Sequence, residues 1–142
     1  MKCWPILLLI FALTGCGSQE MVAVTDRSEV ERIARFPVPA SAGGLQCRTE
    51  SGKSRTVCGR FEIPAVDLPK ILERMPAEAK VTLDNGRSNV ILHKLNEPWW
   101  KPEQIRNGQV AEWTEANFSV NLLFGESLQP GISTVYFFNF EK

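Results

Sequence analysis

From Phe118 to Phe140 the chain is written largely in a period of two. Phe118, Val120, Leu122 and Phe124 alternate with Ser119, Asn121 and Leu123. That is the pattern of a half-buried strand, because successive strand side chains point to opposite faces. Pro130-Gly131 then turns the chain. Ser133 to Phe140 follows, and its Tyr136, Phe137, Phe138 and Phe140 predict a strand buried on both faces.

Upstream segments supply partners. Leu45 to Glu50 and Arg55 to Ile63 flank Gly52-Lys53, and Lys80 to Asp84 and Arg87 to Leu95 flank Asn85-Gly86. Both arrangements read as hairpins on two-residue turns. Ser28-Glu29-Val30-Glu31 matches a capping box, so a short helix is expected there, ending before Pro37. Phe36-Pro37-Val38-Pro39 reads as extended chain. The principal helix is expected after Asp67 as N-cap, with Pro69 in its first turn. Leu68, Ile71, Leu72 and Met75 would form its buried face, Val66 and Ile71 a staple, and Pro76 its end. Pro102 to Arg106 reads as a helical turn. Hairpin connections imply antiparallel pairing. The expected fold is therefore α+β, an antiparallel sheet of about six or seven strands with one main helix packed on one face.

The first residues have another purpose. Lys2 is the only charge in residues 1–15, and Trp4 to Leu13 is almost wholly apolar. That length suits the core of a signal peptide and falls short of a membrane-spanning helix. The stretch ends in Leu13-Thr14-Gly15-Cys16, followed by the polar Gly17, Ser18, Gln19 and Glu20. This motif resembles the lipobox of bacterial lipoproteins. The resemblance implies cleavage before Cys16, a diacylglycerol on its thiol, and acyl chains such as palmitate on its new amino group. Several chains are needed because one alone binds a membrane only marginally, each buried CH2 contributing about 0.8 kcal/mol. Gly17 stands where Asp would signal inner-membrane retention, so the resemblance implies the outer membrane, with the protein facing the periplasm. The expected organisation is a signal peptide over 1–15, a lipidated Cys and tether over 16–27, and one domain over 28–142.

Removing residues 1–15 takes one base and no acid from 16 basic and 16 acidic residues, leaving a net charge of −1. No basic cluster is present, which argues against a nucleic-acid partner. Cys3 leaves with the leader and Cys16 takes the lipid. Cys47 and Cys58 remain as an even pair in an oxidising compartment, which predicts a disulfide. With Gly52-Lys53 as the turn, Cys47 faces Cys58, on a hydrogen-bonded pair whose side chains stand further apart than at alternate positions. A bulge or a longer loop would shift that register.

Catalytic sets are missing. His93 is the single His, with no Gly-x-Ser-x-Gly or His-Glu-x-x-His around it. Glu62, Asp67, Glu97, Glu103 and Glu112 have no diagnostic spacing for paired-carboxylate chemistry. No phosphate loop, calcium loop, metal set or cofactor motif occurs. The expectation is a non-enzymatic protein without cofactor.

The most unusual local feature is Trp99-Trp100 between Pro98 and Pro102. On extended chain, neighbours point to opposite sides, so one Trp would plug the core and the other would meet a partner. Phe36 to Ala42, Gly59 to Pro64 and Pro98-Trp99-Trp100 together resemble small uncharacterised periplasmic lipoproteins. They match neither peptidoglycan-anchoring domains nor lysozyme-inhibitor motifs. The expected function is an anchored binding or accessory module for an envelope protein or glycan, through Trp99 and Trp100. The alternative is an inhibitor or immunity lipoprotein that neutralises a toxin or a lysozyme-like enzyme.

Overall fold

A computed structural model describes residues 21–50 and 55–142. The expected leader, Cys16 and the expected Gly52-Lys53 turn lie outside the described residues. Seven strands form one sheet: β1 (Met21–Ala23), β2 (Gly43–Glu50), β3 (Thr56–Pro64), β4 (Lys80–Leu83), β5 (Arg106–Glu115), β6 (Phe118–Glu126) and β7 (Ile132–Glu141). Their order is β1-β2-β3-β7-β6-β5-β4, and every neighbouring pair is antiparallel. The sheet therefore begins inside the segment expected to be tether, since Met21–Ala23 pairs with Arg48 to Glu50.

Both faces of the sheet are covered. On the first lie helix α1 (Arg27–Ala34), the extended Phe36 and Val38, and helix α2 (Leu68–Leu72). They bury Val57, Phe61, Leu122, Phe124, Val135 and Phe137. On the second lies the connection from β4 to β5, residues 84–105, which buries Cys58, Val110, Leu123 and Tyr136 beneath Val90 and Trp100. This second cover is why β6 is not half-buried: every residue from Phe118 to Gly125 is buried. Asn121 tolerates this because its amide is saturated. Its Nδ2 donates to Ser119 Oγ (3.3 Å) and the Phe138 carbonyl (2.9 Å), and its Oδ1 accepts from Asn89 Nδ2 (2.8 Å).

The helices differ from expectation. α2 is only five residues long. Asp67 caps nothing; its carboxylate accepts from Lys70 Nζ at 2.7 Å instead. The chain enters α2 through a 3-10 turn that leaves Val66 82% exposed, so no staple forms. The longer helix is α1, capped by Asp26, whose Oδ2 accepts from the Glu29 amide (2.9 Å). It ends at Arg35 in left-handed conformation, just before Phe36-Pro37.

Two hairpin expectations also change. Arg87 to Leu95 is not a strand. Asp84 Oδ1 and Asn85 Oδ1 accept from the amides of Gly86 and Arg87 (both 3.0 Å), and Ser88 Oγ accepts from Ile91 N (3.3 Å), starting the one-turn helix α3 (Asn89–Leu92). These local bonds compete with a ladder, and β4 pairs with β5 instead.

The β2–β3 hairpin forms, one residue out of the expected register. Cys47 faces Gly59, and Cys58 faces Arg48. A one-residue slip moves a side chain to the other face of the sheet. Cys47 therefore packs in the first core and Cys58 in the second, and both are free thiols. The expected disulfide is absent. Gly59 fits this register because a Cβ there would strike the Phe137 ring and stand 2.6 Å from the Gln46 carbonyl oxygen.

Candidate functional site

The site grows from the second face of β3. Cys58 has Arg48 beside it on β2 and Phe138 on β7. His93 leaves α3 in an extended conformation and lays its ring flat on Phe138, with centroids 4.0 Å apart and planes 12° apart. Its Nε2 comes within 3.4 Å of Cys58 Sγ. Trp100 meets the His93 ring edge-on at 5.8 Å, and its Nε1–H donates to the His93 carbonyl (3.1 Å).

Three further bonds pin residues 84–105 to the sheet. Tyr136 Oη donates to the Trp99 carbonyl (3.4 Å), Arg48 Nε donates to Glu97 Oε1 (2.8 Å), and Asn89 joins Asn121 as described above. Beside this cluster runs a groove of about 400 Å³, bordered by Ile91, His93, Leu95, Trp100, Pro102 and Glu103.

The electrostatics favour neutral groups here. Burial pushes the Cys58 thiol up to about 12, with nearby Cys47 and Glu50 adding in the same direction. Burial also lowers His93 below its ordinary 6.5, against an opposing pull from Glu50. A nucleophilic cysteine needs thiolate character and access. Cys58 has neither, being 0% exposed. The Cys58–His93 contact is thus one between a neutral thiol and a neutral imidazole, which orients the ring and so shapes the groove wall.

The carboxylates named from sequence do not converge. Glu97 is paired with Arg48, Glu62 with Arg60 and Asp67 with Lys70. Among the described residues no three His, Cys, Asp or Glu side chains gather to hold a metal.

Trp99 and Trp100 both reach the second face, but not on extended chain. The Trp100 amide donates to the Glu97 carbonyl (3.0 Å), closing a turn at Pro98. The two rings meet edge to face at 5.9 Å. Trp100 is 7% exposed and belongs to the core. Trp99 is only partly buried, so it is the member of the pair with surface to offer. Sequence reasoning missed the Cys58–His93 and Arg48–Glu97 contacts. Each joins residues at least 35 positions apart, and no local pattern carries such a pairing.

The chain matches no protein-family model, no curated protein and no solved structure.

Proposed function

We propose that this protein is a lipid-anchored module of the bacterial envelope. Cys16 carries the lipid, the domain faces the periplasm from the outer membrane, and it binds an envelope protein or glycan without catalysing a reaction. The observation that carries this reading is Leu13-Thr14-Gly15-Cys16 directly behind an apolar stretch of signal-peptide length. Support for the binding half comes from residues 84–105. A long connection usually costs order, yet this one is held by buried Trp100, the Arg48–Glu97 pair and the Tyr136 bond. Such a preordered surface binds with less entropy loss than a loop that must freeze on contact. It presents the free part of Trp99 and a groove walled by His93 and Trp100.

The test is crosslinking in native envelopes with the full lipidated chain, followed by mass spectrometry of what is captured. The expected result is one dominant protein or glycan partner for the wild type. Trp99→Ala should lose it with thermal unfolding unchanged. Equal recovery by Trp99→Ala would remove this surface from the proposal.

A further inference from the structure

We infer that the domain stands with its β2–β3 hairpin end against the lipid headgroups and its opposite end pointing away from the membrane. This inference rests on the lipid-anchored reading above, and it names the surface that meets the bilayer.

The argument begins with direction. β1 pairs antiparallel with β2, with Met21 opposite Glu50 and Ala23 opposite Arg48. The chain therefore enters the sheet beside Glu50, where β2 turns over to β3. The same end carries Thr56, the β5–β6 turn at Ala116-Asn117, and Lys142, whose amide donates to the Asn117 carbonyl (2.7 Å). Five residue steps separate Cys16 from Met21. At about 3.3–3.6 Å per residue they reach at most about 18 Å. β3, nine residues long, climbs about 26 Å from this end to the other. The tether is thus shorter than the sheet is tall, and it leaves from one end.

The opposite end is built differently. Ala65 N donates to the Gly131 carbonyl (2.9 Å), which sets the turn carrying Val66 beside the β6–β7 turn carrying Leu128. These side chains are 82% and 66% exposed.

Charge is the lesser influence on this orientation. Among the described residues, the hairpin end presents Arg35, Arg55 and Lys142 against Glu50, Glu115 and Glu141. The pull of a few basic residues on an anionic surface is weak beside that of several buried acyl chains. The acyl chains set the pose, so it should be the same on neutral and anionic lipid.

The experiment uses the full lipidated chain in phosphatidylcholine vesicles with a nitroxide on the headgroup. A fluorophore is placed through Asn117→Cys or through Leu128→Cys. Both sites are exposed, and the native Cys47 and Cys58 are buried and protonated, so labelling is selective. The expected result is severalfold stronger quenching at position 117 than at 128, unchanged by adding anionic lipid. Equal quenching, or stronger quenching at 128, overturns the orientation. Intact mass measured in parallel separates the two failures. A chain with no lipid on Cys16 refutes the anchored reading and this inference with it. A lipidated chain with the wrong quenching order refutes the orientation alone.

Discussion

Two neighbouring rows of side chains run across this sheet, one residue apart and on opposite faces. The first reads Cys47, Gly59, Phe137, Leu122, Ala111 and Val81 across β2, β3, β7, β6, β5 and β4. It is apolar throughout and most of it lies under helices. The second begins Arg48, Cys58 and Phe138 and continues on the far strands with Asn121, Glu112 and Lys80. It is mixed, and its β2–β3 end lies under the irregular 84–105 cover. Apolar burial does most of the holding on the first cover, where one buried side-chain bond, Asn139 Nδ2 donating to the Ala34 carbonyl (2.7 Å), ties α1 to the sheet. The second needs named hydrogen bonds, because each polar group it buries must be satisfied. The difference separates a face that stores stability from a face that displays a surface, and each holds one thiol that reports on its own cover.

The sharpest break of this comparison is Phe137→Ala. Phe137 is fully buried and packs against Phe36, 5.1 Å between centroids. The expected loss is about 3–5 kcal/mol in urea unfolding, a large share of the total for a domain of this size. Cys47 and Cys58 should then become alkylatable together, because the whole sheet opens.

Trp100→Ala should act on one face only. It removes a buried indole and its bond to the His93 carbonyl, at about 3 kcal/mol of local stability. Alkylation of Cys58 should quicken by roughly a hundredfold while Cys47 stays protected. Equal exposure of both thiols would mean that the two covers open as one unit.

Arg48→Ala and Glu97→Ala probe the latch itself. Their side chains are 28% and 21% exposed, so the coupling in a double-mutant cycle should be about 1 kcal/mol or less. The readout is a severalfold faster Cys58 reaction.

The smallest effect is the acid limb of the pH dependence. Folding lowers His93 below 6.5, so below that pH the unfolded chain binds a proton that the folded chain refuses. Stability should therefore fall as pH drops below 6.5, and His93→Phe should flatten the slope. At alkaline pH the sign is set by the thiols. Both rise from 9.0 to about 12 on folding, so stability should decline as pH climbs above 9.

Much of the sheet was legible. The alternation at 118–124 and the aromatic run at 133–140 are strands, and the hairpin around the two cysteines exists, because a two-residue period and turn residues are local signals. The end of α1 before Pro37 was legible for the same reason. The Asn85-Gly86 hairpin misled. The dipeptide does turn the chain, but nothing within Arg87 to Leu95 says that Ser88 will cap a helix and that β4 will choose the distant Arg106–Glu115. The short α2 misled in the opposite sense, since its spacing suits a helix of twice the length.

By itself the sequence determined the antiparallel class and the strand positions near the C-terminus, and it carries Leu13-Thr14-Gly15-Cys16 behind an apolar stretch, all properties of residues close together along the chain. Only the tertiary structure decided which face each cysteine occupies, what His93 touches, which Trp is core, and where the entering chain meets the sheet. Those depend on a one-residue register and on contacts between distant segments, and pleating turns the smallest slip into a change of face.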